Sequence, residues 1–253
     1  MKFSTTIIIL QLFILSCTHH QPYNNIDNST EYNEKEKLIA SFNFNNNSPY
    51  DDSNNNIKIN LSENTVINNE KLILNAAGNI IITNNIPMSP KTGIKLNLDI
   101  EFENINSDFI IDNYNKETNS GYLLRTINSN RLAFYIGLSN KIEYVETHIN
   151  KYTKYNVTAI YANNILAIYL NELIKDWKHV NGPIIYNDIN ELYIGSSSKK
   201  NQFFKGKIDN LNFSLSKNIS HSITTKSLPD ILTNKYYEYK INAILLGINK
   251  FTK

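Results

Sequence analysis

The chain has 253 residues, 41% of them hydrophobic, with 25 basic against 23 acidic side chains and one cysteine. That apolar content is too high for a disordered chain, and the length suits one large β domain or two small ones. A net charge of +2 lacks the basic bias of a dedicated nucleic-acid binder, and a lone cysteine excludes an intramolecular disulfide, a redox pair and a multi-cysteine zinc site. Asparagine, isoleucine and lysine dominate and share AT-rich codons, so base composition accounts for the bias. The runs Asn45–Asn47 and 54–56 are short and flanked by patterned segments, and read as loops.

Met1-Lys2 forms a small basic start, followed by the apolar stretches 7–10 and 12–15 around Gln11. About 20 apolar residues are needed to span a bilayer, so this is a signal-peptide pattern. It ends in Ile14-Leu15-Ser16-Cys17, which resembles a bacterial lipobox. The resemblance implies removal of residues 1–16, a diacylated Cys17 thiol and membrane attachment through N-terminal acyl chains, including palmitate. The alternative is an ordinary secretory signal with Cys17 incidental. Two or three acyl chains anchor stably, whereas one holds only marginally. Residues 17–37 are polar and read as a tether.

From Leu38 the pattern changes to period two. Strands are expected at about 38–44, 57–61, 72–74, 80–83, 94–102, 122–127, 131–138, 142–146, 156–161, 166–171, 191–194 and 206–215. The clearest is 94–102, where Ile94, Leu96, Leu98, Ile100 and Phe102 alternate with Lys95, Asn97, Asp99 and Glu101. Short strands between polar breaks, with no βαβ rhythm, point to an all-β antiparallel sandwich or barrel. In residues 217–253, Ser227-Leu228-Pro229-Asp230 marks a helix start. Leu228, Ile231, Leu232, Tyr236 and Tyr239 follow at helical spacing and Gly247 is a stop, so a short helix packed on the sandwich is expected.

Residues 155–172 run strand, tight turn, strand, the second written Leu166-Ala167-Ile168-Tyr169-Leu170-Asn171-Glu172. Leu192-Tyr193-Ile194-Gly195 follows, then Phe204-Lys205-Gly206-Lys207-Ile208-Asp209-Asn210-Leu211-Asn212-Phe213. This order, with Asp51-Asp52-Ser53 after the first strand, resembles the laminin-G-like jelly rolls over residues 38–216. The implied fold is a concanavalin-like jelly-roll sandwich of two antiparallel sheets. Glu172 and Asn54 stand where that pattern favours glycine.

Asp209 lies between Ile208 and Leu211, so its carboxylate must be exposed, paired or bound to a cation. In similar jelly rolls this aspartate can ligate one structural calcium. The resemblance therefore makes Asp209, with Asp51 or Asp52, a candidate metal set, the alternative being a carboxylate hydrogen-bonded to loop backbone.

An enzymatic hint is Asp99-Ile100-Glu101-Phe102-Glu103. Alternation places these carboxylates on one face, neighbours about 6.7 Å apart, against about 5–5.5 Å in retaining glycosidases. Laminarinase- and lichenase-type hydrolases of concanavalin-like fold carry E-x-D-x-E, whereas here the order is D-x-E-x-E. A solvated acidic face is the alternative. No tryptophan accompanies the strand, and the only one is Trp177. His148, His179 and His221, like His19 and His20 in the tether, lack metal spacing. Lys199-Lys200 reads as a solvated basic spot. Tyr50, Tyr114 and Tyr122 lie near expected loops, although tyrosine equally suits core and cross-strand packing.

The resulting expectation is a lipid-anchored envelope protein whose jelly roll binds a glycan or a protein without catalysis. Residues 49–56, 112–121 and 175–183 are the expected contact loops. A glycoside hydrolase using Glu101 and Glu103, or a structural or assembly lipoprotein, are the alternatives. Nucleic acid is not an expected partner.

Overall fold

Alternating apolar and polar residues fold as strands wherever one face can be buried, and the chain is built almost wholly this way. The computed structural model describes residues 37–216 except 76, 84–88, 92, 129, 139–140 and 187–190. Cys17, the tether up to residue 36 and the expected C-terminal helix lie outside the described residues.

The strands are β1 (Lys37–Phe42), β2 (Ile59–Leu61), β3 (Thr65–Asn68), β4 (Lys71–Asn75), β5 (Ile80–Thr83), β6 (Gly93–Phe102), β7 (Phe109–Asn115), β8 (Ser120–Ile127), β9 (Arg131–Leu138), β10 (Lys141–His148), β11 (Lys154–Ala162), β12 (Ile165–Leu170), β13 (Leu173–His179), β14 (Glu191–Ile194) and β15 (Lys205–Leu215). They form two antiparallel sheets. The first runs β13–β12–β11–β6–β15–β4–β3 with β1 also on β15, and the second runs β10–β9–β8–β7–β14–β5–β2. This is the expected jelly-roll sandwich. Lys37, expected as the last tether residue, already pairs with Leu215.

β6 sits between β11 and β15, and its inward residues Ile94, Leu96, Leu98, Ile100 and Phe102 are all buried in the core. Opposite them lie Phe134, Ile136 and Leu124 of the second sheet, in the same cluster. Burying one such side chain stabilises the fold by about 1.5–3 kcal/mol, so the five inward residues of β6 contribute heavily to the core.

β15 must serve two neighbours. Its start pairs with β4 and its end with β1. The switch occurs at a bulge between Asp209 and Asn212, where Asn210 takes φ 48°. A bulge adds one unpaired residue and bends the strand, which frees the second half of β15 to meet β1.

Two-residue hairpins join β3 to β4, β11 to β12 and β12 to β13. Both central residues have positive φ in each: Asn69-Glu70, Asn163-Asn164 and Asn171-Glu172. Such turns match the twist of the flanking strands, and asparagine tolerates that conformation better than most residues. Part of the asparagine content thus has a structural use.

Three strands depart from the sequence expectation, and two of them replace expected contact loops. The segment 112–121 is the end of β7, a four-residue turn and the start of β8. The segment 175–183 is mostly β13, an edge strand exposed along much of its length, so it shows no apolar alternation. β3 was likewise hidden, being a short edge strand.

Candidate functional site

Asp99 and Glu101 project from β6 on the outer face of the first sheet, since Leu98, Ile100 and Phe102 fill the core side. Each is held by neighbours. Asp99 accepts hydrogen bonds from Asn156 Nδ2 and Asn210 Nδ2, both 3.0 Å, and lies 3.5 Å from Lys154 Nζ. Burial, the strongest single influence, would raise its pKa, but these bonds and the Lys154 charge together hold it below the ordinary value. Glu101 pairs with Lys207 at 3.5 Å. Glu103 lies just past the end of β6 and pairs with Lys205 at 3.7 Å.

Asp209 faces Asp99 directly across the strands. Burial pushes its carboxyl up, and the Asp99 charge adds to this. The dent between these groups, lined also by Lys71, has a volume of about 10 Å³. That is room for one water, not for a sugar ring.

Asp51 organises the loop after β1. Its Oδ1 accepts from the Ser41 and Ser53 N–H groups, both 3.0 Å, and its Oδ2 from Ser53 Oγ at 2.8 Å and the Ile57 N–H at 2.9 Å. Burial opposes ionisation here, but these four bonds outweigh it and lower the pKa. A carboxylate saturated with N–H and O–H donors does not fit a calcium cage, which needs six to eight oxygens. Asp52 only contributes its backbone N–H, 2.8 Å from the Ser41 carbonyl, among the bonds described. Among the described residues no group of three or more His, Cys, Asp or Glu side chains could hold a metal ion. Of the candidate set Asp51, Asp52 and Asp209, Asp51 is thus committed to the donors of its own loop.

Of the three expected contact loops, residues 49–56 remain a loop, with Tyr50 77% exposed. Tyr122 is fully buried in the core, and Tyr114 hydrogen-bonds Asn119 Oδ1 at 2.8 Å. His148 and His179 are exposed at strand ends.

The second sheet carries a feature not foreseen. Asn60, Ile81, Tyr193, Asp112, Leu123, Tyr135 and Tyr144 stand in one register, a single row across all seven strands. Their strand neighbours Leu192, Ile194, Ile111, Leu124, Phe134 and Val145 belong to the core, so the row lies on the outer face. At its β9–β10 end the Tyr135 and Tyr144 rings stack at 4.9 Å and 28°. Tyr144 is 43% exposed, and Lys178 Nζ stands 5.1 Å from its ring centre. Arg131 and Glu146 form an ion pair beside them.

At the middle of the row Asp112 is only 3% exposed. Its Oδ2 accepts from the Ser198 N–H at 2.8 Å and its Oδ1 from the Tyr114 N–H at 3.1 Å, so the loop after β14 is pinned over the row. Burial pushes the Asp112 carboxyl up to about 6 despite these bonds and the nearby Arg125. Arg125 itself stands over Phe109, its Cζ 4.3 Å from the ring centre, and donates to the Ser107 carbonyl at 2.8 Å. The Tyr135–Tyr144 pair was readable in principle. Both are outward positions of alternating segments, and the pairing of Lys141 with Leu138 sets them opposite.

No family model matches the chain, and no curated protein sequence does. Solved structures are similar in fold. One is a botulinum neurotoxin type C structure, described in the context of cell entry through two ganglioside molecules, with TM-score 0.59, 16% identity, and coverage of 72% of this chain and 48% of that one. Another is the binding domain of botulinum neurotoxin DC in complex with rat synaptotagmin II, with TM-score 0.58, 19% identity, and coverage of 71% and 49%. A third is the receptor-binding domain of mosaic serotype C/D with tetraethylene glycol on its Hcn sub-domain, with TM-score 0.57, 17% identity, and coverage of 72% and 48%. The chain spans about half the length of these domains. At such identities the likeness is one of fold, a sandwich of two antiparallel sheets.

Proposed function

We propose that this chain is a non-catalytic binding module of a bacterial cell envelope, lipid-anchored at Cys17, that holds a glycan against the outer face of its second sheet. The observation that carries this reading is the stacked Tyr135–Tyr144 pair on a sheet face, Tyr144 exposed and Tyr135 half-buried, flanked by Lys178, Arg131 and Glu146. Aromatic rings offer a flat apolar surface to the C–H face of a sugar, and the charged neighbours offer donors and acceptors to its hydroxyls.

The first sheet offers less. Asp99, Glu101 and Glu103 are each tied to a lysine, and the dent beside Asp99 and Glu101 admits one water, which disfavours hydrolysis by Glu101 and Glu103. Neurotoxin domains of similar fold are named for binding gangliosides and synaptotagmin. That supports a recognition role without defining the ligand.

A glycan array probed with the folded chain tests the proposal. Binding is expected, and Tyr144→Ala should weaken it about tenfold, or 1.4 kcal/mol, while the melting transition stays in place. Silence on the array, with crosslinks in intact cells only to envelope proteins, would replace the proposal with an assembly lipoprotein.

A further inference from the structure

β11 and β12 break the rule that the outer face of a sheet is polar. Their core-side residues Val157, Ala159, Leu166 and Ile168 alternate with Ile160, Ala162, Ile165, Ala167 and Tyr169, which form a second apolar cluster against Trp177 of β13. This cluster lies on the outer face, yet Ile160 is 2% exposed and Ala162 and Ala167 not at all. Large neighbours such as Trp177 and Tyr169 shield part of these alanines, but burial of the whole cluster, Ile160 included, calls for a cover over the face as well. The strands of the second sheet do not supply the cover. They meet this edge from the core side, where Lys178 pairs with Glu143 and Asp176 accepts from the Glu146 N–H, and Trp177 alternates with both.

We propose that residues 217–253 of the same chain lie across this outer face. The chain leaves the first sheet at the right place. The Ser216 N–H donates to the Gly93 carbonyl at 3.4 Å, Gly93 faces Ala162, and Ala162 faces Ile165. The exit is tight, since a Cβ on Gly93 would lie 1.9 Å from the Ser216 carbonyl oxygen. The other end of the domain is less well placed. Lys37 pairs with β15 on the side away from β6, one strand further off, about 4.8 Å. Residues 18–36 are polar, with Ile26 their sole aliphatic side chain.

The segment has the chemistry to cover the cluster. Leu228, Ile231, Leu232, Tyr236 and Tyr239 recur at helical spacing, making one apolar stripe. From Ile165 to Tyr169 the cluster runs about 13 Å along a strand, within the length of a three-turn helix, about 16 Å. Covered in this way, the outer half of the first sheet is closed to ligands, and recognition falls to the second sheet.

Trp177 is the only tryptophan, so its fluorescence reports the cover directly. In the full chain, Ile231→Asp combined with Leu232→Asp should shift its emission to longer wavelength. The acrylamide quenching constant should rise about twofold, with the far-UV β-sheet spectrum unchanged. A folded double variant with unaltered Trp177 emission and quenching overturns the proposal. So does wild-type quenching that rises on dilution, which would assign the cover to a second copy. If the double variant does not fold, amide hydrogen exchange of the wild-type chain decides: slow exchange within 228–240 supports the proposal, and unprotected exchange throughout overturns it.

Discussion

Asp112 concentrates the electrostatics of the second sheet in one side chain. Its carboxyl is buried on a face lined by tyrosines, and two backbone N–H bonds do not compensate for the lost water, so its pKa rises from 3.8 to about 6. A carboxyl raised on folding binds a proton more tightly in the native than in the unfolded chain. Its contribution to stability is therefore greatest below about pH 4, declines as pH rises to about 6, and is level above that. A shift of this size corresponds to roughly 3 kcal/mol over that window. Asp51 and Asp99, whose values are lowered, act in the opposite sense at lower pH. The informative quantity is accordingly a difference between proteins. Denaturant midpoints of wild type and Asp112→Asn, measured from pH 4 to 7, should diverge across pH 4–6 with wild type losing ground. Parallel profiles would show that the carboxyl titrates normally.

At the scale of elements, the turn between β12 and β13 carries the clearest local conflict. Glu172 adopts φ 66° in a two-residue hairpin, a conformation that costs a side-chain-bearing residue about 1 kcal/mol or more. Glu172→Gly should raise the unfolding free energy by about 1 kcal/mol, and Glu172→Ala should not, as urea titration would show. The departure from glycine at this position was visible in the sequence, and so was β6, whose ten residues alternate without interruption. β7 was not. A register shift between Phe109 and Ile111 brings Ile110 and Ile111 together into the core, and the buried polar pair Asp112 and Asn113 then breaks the apolar pattern. β13 was hidden for the opposite reason, since an edge strand with few buried residues needs no alternation. The same physics hid the tyrosine row. Its members are spread over seven strands, and only cross-strand register, which depends on long-range pairing, brings them together. Asp99 and Glu101 stood out in the sequence because they are local, and local spacing could not reveal the lysines on β11 and β15 that tie them down.

At the scale of the molecule, the two sheets have different chemical faces. The first shows Lys–carboxylate pairs around β6 and a closed apolar cluster on β11 and β12. The second shows the tyrosine row, exposed at its β9–β10 end. The described domain begins and ends on one row, Lys37 beside Leu215. An anchor at Cys17 would stand 20 residues before Lys37 in the sequence. The anchor itself is open to a direct test. Wild-type protein expressed in a bacterium with lipoprotein processing should partition into the detergent phase, and Cys17→Ala should move it to the aqueous phase without altering the β-sheet spectrum or glycan binding. No described helix is long and apolar enough to cross a bilayer; detergent-phase partition that survives Cys17→Ala would show that lipidation is not what holds the protein.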